Sequence, residues 1–371
     1  LRDIISEQDK PFLEIDKSTM SSLEIVDTIN GEKHNSLLKI INKTLTASGS
    51  RLIKTRLLTP SNNKDEIIRR HKIAEFLYFN KTFKEKIKNF LNKINDFERS
   101  LSRVSLNTIN SKELLTLGNN LKTTLDILSE IKICKNCNKF IKILSEKIRI
   151  NENLVFEISK AIQKSVLYEN KNYDFINRGY SKELDKVKNI QNSSGDKIIE
   201  FQLKYIKLTK INSLKIKFNK VLGYHVEIRT NHLDKINGFD EFIHRQTTAQ
   251  TVRYTTKELL DLEIKINHAN KLIKELEVDI YLGLKKQILE EKNNIFQISD
   301  FIAQLDIANM TADQKLFNNY NIPIMVDGRK LFVKNGRHPV VEKTLPLMSD
   351  YTPNNCELKD GNIWLITGPN M

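Results

Sequence analysis

The sequence predicts a mainly α fold with a small antiparallel β element at the end of long helices, followed by a segment in which an α/β domain begins. Three observations predict it. No proline occurs between Pro60 and Pro323; proline costs about 3 kcal/mol inside a helix, so long helices require such a gap. Leu214, Ile216 and Phe218 alternate with polar neighbours, the period of a half-buried strand. Pro323, Pro339, Pro346, Pro353 and Pro369 crowd into the last 49 residues with Gly328, Gly336, Gly361 and Gly368. Composition therefore changes near residue 320, from a helical body to strands and turns.

Taken in order, residues 1–200 are expected to form a helical core and an outgoing helix. Within them Ser181 to Lys210 reads as helix, with Ser193, Ser194 and Gly195 as its weak point. Residues 201–257 carry the β element. A hairpin runs from Leu214 through a turn ending at Gly223 to Tyr224, Val226 and Ile228, and a further extended piece spans Gln246 to Tyr254. Thr255, with Glu258 three residues on, makes a capping box. From Lys257 to about Asp300 apolar residues recur at spacings of three and four (Leu262, Ile266, Ala269, Ile273, Leu276, Ile280). A helix of some 44 residues would be about 66 Å long, with Gly283 as a break point. Residues 258–319 are thus a returning helix and more core, and 320–371 a separate segment.

The chain has 371 residues, 39% hydrophobic and 29% charged, with a mean hydropathy of −0.42. That describes a folded, water-soluble protein of two or three domains. No apolar run reaches the ~18 residues of a membrane span, and the amino end is too polar for a secretory signal. Three cysteines argue against a disulfide scaffold and for a reducing cytoplasm. The first residue is Leu1 and the last, Met371, falls inside a motif, so both ends are expected to be internal to a longer chain.

A net charge of +14 suggests a polyanionic partner, although a lysine-rich composition also follows from an AT-rich genome. Local distribution is more informative. Between Lys204 and Lys257 eleven Lys and Arg face four Asp and Glu, a surplus of seven. Lys215, Lys217, Lys220, His225, Arg245 and Arg253 are the candidate contacts there to the backbone of DNA or RNA. Such side chains neutralise phosphates without reading bases. The bland reading is a solvated sheet face.

At the carboxyl end, Asn362-Ile-Trp-Leu-Ile366 suits a buried strand and runs into Thr367-Gly-Pro-Asn-Met371. A strand leading into glycine is how a phosphate-binding loop begins; by spacing alone, a plain strand-to-turn junction fits as well. Cys134 and Cys137 make half of a zinc pattern, with no second pair to complete four ligands, so no metal site is expected. His338 before Pro339 reads as structural. Arg99 and Arg103 read as partners of core carboxylates, and Lys84, Lys86 and Lys88 as a solvated helix face.

Together these phrases resemble the MutS family of DNA mismatch-repair ATPases. Gly368-Pro-Asn-Met371 looks like the opening of that family's Walker A phrase, and Gly336-Arg-His-Pro-Val-Val-Glu342 is similar to its GRHPVVE. Ala303-Gln-Leu-Asp306 resembles AELD. Arg245-Gln-Thr247, Arg253-Tyr254 and Glu258-Leu259 resemble RRQTxxxxERYxTPEL, with His244, Val252 and Lys257 as departures. Leu214 to Ile228 resembles LKVxxNxxxGYYIEI, with His225 for the second Tyr. Thr46-Ala-Ser-Gly-Ser-Arg-Leu52 and Asp96-Phe-Glu-Arg99 with Arg103 resemble TAMGSRL and DLERxxxR. The likeness runs in order along essentially the whole chain.

The resemblance implies a fragment: a helical core with lever helices, a β clamp touching DNA backbone, and the start of a P-loop ATPase that stops inside Walker A. It implies ATP and, in a complete protein, Mg²⁺ as cofactors, with Gly368, Pro369, Asn370 and Met371 at the phosphates and Tyr351 and Thr352 against adenine. Asn355 departs from the family's Asp. Mismatched duplex DNA, a second copy of the chain and a MutL-type protein are the implied partners. No catalytic residue lies within the fragment, which alone is expected to be inactive. Two other readings stay open: a non-catalytic helical DNA-binding or scaffold module with a basic β tip, and an ATPase with long coiled-coil arms, which the absence of sustained heptads disfavours.

Overall fold

A computed structural model of the chain describes residues 12–167, 174–345 and 351–367. Its helices are α1 (Lys17–Ser22), α2 (Leu37–Ile41), α3 (Ala47–Leu58), α4 (Lys64–Phe79), α5 (Lys81–Leu91), α6 (Phe97–Ser105), α7 (Ser111–Ile133), α8 (Lys139–Glu146), α9 (Glu152–Ala161), α10 (Lys182–Thr209), α11 (Lys257–Glu290), α12 (Lys292–Asn318) and α13 (Pro339–Thr344). Strands are β1 (Lys215–Asn219), β2 (Gly223–Arg229), β3 (Ile243–Thr247), β4 (Thr251–Thr255), β5 (Leu331–Gly336) and β6 (Asn354–Leu358). The mainly α expectation with a small antiparallel sheet holds. Polar caps set many helix starts: side chains of Asp16, Ser36, Thr46, Asn63, Asp96, Asn138 and Ser181 accept first-turn amides, satisfying donors that a helix leaves open.

Two compact units emerge. One comprises residues 1–109, 116–155 and 289–371, the other 110–115 and 156–288. The first is organised around α12, which buries Ile295, Ile298, Phe301, Ile302, Leu305 and Met310 and packs against α3, α4, α5 and α6. A helix apolar on nearly every side belongs at a core's centre. Asp306 on α12 is fully buried and ties α12 to α3. It accepts from the Leu45 amide at 3.0 Å, the Thr46 amide at 2.7 Å and the Thr46 hydroxyl at 2.7 Å. Burial raises its pKa against the opposing hydrogen bonds from Thr46 and Leu45. A Cβ at Gly49 would run into Asp306 Oδ2, so the glycine is what lets this carboxylate reach the start of α3.

In the second unit α10 and α11 run antiparallel, shown by three side-chain pairs: Lys204–Glu258 at 2.6 Å, Gln191–Asn270 at 2.7 Å and Lys188–Glu277 at 3.0 Å. The four-stranded antiparallel sheet, ordered β1-β2-β4-β3, lies between them in sequence. Its apolar face builds a core from Leu214, Val226, Ile228, Val252 and Tyr254 with Tyr205 and Leu259 from the helices.

Several expectations are corrected. The 44-residue helix is instead α11, 34 residues long, and then α12. The break falls at Glu291, whose carboxylate accepts from Asn151 and Asn294, while the helix runs through Gly283. Ser193–Gly195 likewise stays helical, with both serine hydroxyls bonded back to the Ile190 carbonyl. The extended piece at 246–254 is two strands, β3 and β4, joined by a turn in which Thr248 Oγ1 accepts from the Thr251 amide at 3.0 Å. The cap of α11 is Thr256, whose hydroxyl accepts from the Leu259 amide at 3.1 Å, rather than Thr255. Glu258 turns to Lys204 and Tyr205 instead of closing a capping box.

Lys84 is no solvated residue. It is buried and pairs with Asp313, which Lys88 also holds at 2.9 Å. Asp96 and Glu98 pair with Arg51 at 2.8 and 3.1 Å, and Arg103 donates to the Thr108 carbonyl at 2.9 Å. Residues 362–366 form no strand: Ile363, Leu365 and Ile366 are more than four-fifths exposed, because no described strand pairs with or covers them. Among the described residues no helix is long and apolar enough to cross a membrane.

Candidate nucleic-acid interface

The sheet's alternation sorts its side chains onto two faces. With the apolar set turned into the core, Lys215, Lys217, His225, Glu227, Arg229 and Arg253 share the opposite face, as the register Lys215↔Glu227↔Arg253 and Lys217↔His225 requires. Arg245 sits at the register shift between His244 and Gln246 in β3, a bulge that re-aims a side chain. Lys220 lies in the β1–β2 turn.

These cations are not equivalent. Glu227 accepts an ion pair from Lys217 at 2.6 Å and from Arg253 at 3.3 Å. The Lys217 hydrogen bond, followed by that of Arg253, outweighs burial and holds the Glu227 carboxyl below its usual range. Arg253 also donates to Gln246 at 2.8 Å. By contrast Lys215, Lys220, Arg229 and Arg245 are exposed, and among the described residues no carboxylate lies within ion-pair distance of them. Arg229, absent from the sequence-based set of contacts, joins them because β2 ends there with its side chain outward.

His225 is corrected. Only 2% of it is exposed, and its Nδ1 lies 3.0 Å from the Gly223 carbonyl oxygen. A ring held this way reaches no phosphate; it braces the strand start. Gly223 itself has φ +69°, and a Cβ there would meet the Glu263 carboxylate of α11, which accepts from the Tyr224 amide at 3.2 Å. The β1–β2 turn is thereby pinned to α11.

Deeper along the helix pair, Lys188 and the fully buried Glu277 form an ion pair that also gathers the 174–176 loop. Glu277 accepts from the Asp174 amide at 2.6 Å and the Ile176 amide at 3.3 Å, while Lys188 reaches Asp174 at 2.8 Å and the Ile176 carbonyl at 3.1 Å. Burial pulls the Lys188 pKa down, but hydrogen bonds to Asp174 and Glu277 outweigh it and leave it raised. Nothing in the sequence spacing marked this pair, whose members are 89 residues apart.

Of the residues expected at a nucleotide, Gly368, Pro369, Asn370 and Met371 lie outside the described residues. Tyr351 is half-buried, its hydroxyl accepting from the His338 amide at 2.9 Å, and Thr352 is exposed. His338 is structural: its Nδ1 accepts from the Val341 amide at 3.3 Å and caps α13. Its neighbour Arg337 pairs with Glu342 at 2.7 Å. Among the described residues no group of three or more His, Cys, Asp or Glu is placed to hold a metal. Cys134 and Cys137 are free thiols, and burial pushes Cys137 up to about 12.

Residues 18–312 match the family model for MutS domain III. The DNA mismatch repair protein MutS of Anaplasma phagocytophilum (strain HZ) is 35% identical over 361 residues, covering 97% of this chain and 43% of that protein. MutS of Ruegeria sp. (strain TM1040) is 32% identical over 375 residues, 99% of this chain and 42% of its own length. MutS of Ehrlichia ruminantium (strain Welgevonden) is 34% identical over 366 residues, with 97% and 44% covered. The chain thus spans less than half the length of these relatives.

Proposed function

The chain belongs to the MutS family of DNA mismatch repair proteins, and on that footing we propose that its sheet clamps duplex DNA by the backbone within a larger, ATP-driven mismatch sensor. The observation that carries this reading is the cluster of exposed, carboxylate-free cations, Lys215, Lys220, Arg229 and Arg245, on and beside the sheet's polar face. Such groups displace counterions from DNA and bind without reading sequence. Lys217 and Arg253 act at one remove: with Glu227 they form a cross-strand ladder that stiffens the surface.

The proposed organisation is a helical core and outgoing lever (1–200), the clamp (201–257), a returning lever (258–319) and the beginning of an ATPase domain (320–371). Contacts that brace the clamp on α11, chiefly Glu263 beneath Gly223, give this organisation a rigid joint. Nucleotide phosphates would meet Gly368, Pro369, Asn370 and Met371, with Tyr351 and Thr352 toward adenine. ATP would supply the energy of conformational change when bound; the four residues expected at its phosphates lie outside the described residues, and no catalytic step is assigned to the chain. Mg²⁺, a second copy of the chain, a MutL-type protein and a cytoplasmic location belong to the same proposal.

The experiment is a duplex titration of the chain against a variant with Lys215→Ala, Arg229→Ala and Arg245→Ala. The expected result is an equal loss of affinity for matched and mismatched duplexes. A variant that binds as tightly as the parent overturns the clamp assignment.

A further inference from the structure

A cleft of about 250 Å³ opens in the first unit, its polar side formed by Arg56 of α3, Arg69, Arg70 and His71 of α4 and Gln304 of α12, and the rest of its wall by mainly apolar residues of α4 and α12. None of its lining residues belongs to the 201–257 clamp. Three guanidinium groups meet one hydrogen-bonded carboxylate, Glu66, which takes Arg69 at 2.6 and 2.7 Å and Arg70 at 2.8 Å. Asp300 is the next acid, and its carboxylate accepts from Gln304 at 2.7 Å.

Donors outnumber acceptors. Arg56 Nε and Arg69 Nη1 are buried and have no hydrogen-bond partner, a condition that costs free energy whenever it persists. Burial, followed by the nearby charge of Arg70, lowers the Arg56 pKa to about 10; burial also lowers that of His71. Positive charge is therefore crowded where it is poorly solvated.

We propose that this cleft binds a phosphate-type dianion. Its oxygens supply the acceptors that Arg56 and Arg69 lack, and its charge offsets the positive surplus that Glu66 and Asp300 leave among the three guanidiniums. Arginine forks suit such oxyanions, taking two oxygens at once. Phosphate carries about −1.5 to −2 near neutral pH, against −1 for a carboxylate. The long side chains rotate to meet the ligand from α3 and α4, joining the two helices through it.

The test is calorimetric titration and thermal unfolding of the 371-residue chain with inorganic phosphate and with ribose 5-phosphate, against sodium chloride of equal ionic strength. Either phosphate compound should bind saturably and raise the unfolding temperature where chloride does not. Tighter binding of ribose 5-phosphate marks a monoester as the ligand, and equal binding marks free phosphate. Arg56→Gln should weaken binding at least tenfold yet unfold at a higher temperature than the parent in phosphate-free buffer, because a crowded cation is gone. Arg70→Gln, at a partly exposed position, should also weaken binding and carries the test should Arg56→Gln not fold. Equal effects of chloride and phosphate, or unchanged affinity in the folded variants, overturn the proposal.

Discussion

Replacing Glu277 by Leu should destabilise the α10–α11 pair far more than replacing both members of its ion pair. Glu277 is fully buried and Lys188 is 5% exposed, so removing the carboxylate strands an ammonium in a dry site and frees the Asp174 and Ile176 amides it held. Breaking a buried pair from one side costs about 3–5 kcal/mol, whereas replacing both partners with well-packed apolar groups is often neutral or stabilising. Asp174 softens the loss little, because its own side chain is 62% exposed. Amide hydrogen exchange across 182–209 reads the effect where it occurs. At about 1.4 kcal/mol per decade, Glu277→Leu should lower protection there by roughly two to three and a half orders of magnitude. Lys188→Met with Glu277→Leu should restore most of it. A double variant as unprotected as the single one, or a single variant within a factor of three of the parent, would refute the reasoning.

Gly49→Ala should lower the unfolding temperature of the first unit by an amount equivalent to about 1–3 kcal/mol, the usual range for overpacking, since the new methyl collides with Asp306; calorimetry checks this. Acid should weaken the α4 region through Glu66. Its hydrogen bond from Arg69 leads the causes that bring its pKa from 4.5 to about 2. A carboxyl depressed on folding stabilises fully above its unfolded pKa, and the contribution fades as pH falls from 4.5 toward 2. Glu66→Gln should therefore flatten the stability–pH curve in that window and leave its shape above pH 5 alone, as urea titrations at stepped pH would show.

The β1–β2 hairpin was legible because its apolar and polar residues alternate, whereas bulged β3, exposed throughout, does not; the proline gap forecast long helices but not where α11 gives way to α12. What period 2 cannot reveal is pairing across strands. Lys217 and Arg253 looked like free cations until the register set Glu227 between them. His225 occupies a polar-face position yet is buried, a depth that alternation does not encode. Lys84 could have been placed from sequence, since it lies three residues before Ile87 and seven before Leu91 on the buried side of α5. The Ile363–Ile366 run shows the converse: apolar residues become a strand only where partner strands accept their hydrogen bonds, and none is described beside them. Glu277 and Lys188 gave no local signal, because long-range pairs are fixed by how the helices align.

The salt dependence of duplex binding tests the clamp most directly. Four phosphate contacts, one each from Lys215, Lys220, Arg229 and Arg245, predict that log K falls against log salt with a slope of about −3.6. With Lys215, Arg229 and Arg245 replaced by Ala the slope should shrink to about −0.9, for matched and mismatched duplexes alike. The control replaces three exposed lysines of the other unit, Lys122, Lys132 and Lys135, and should keep the parent slope. Equal flattening in both triple variants would assign binding to diffuse charge and contradict the clamp.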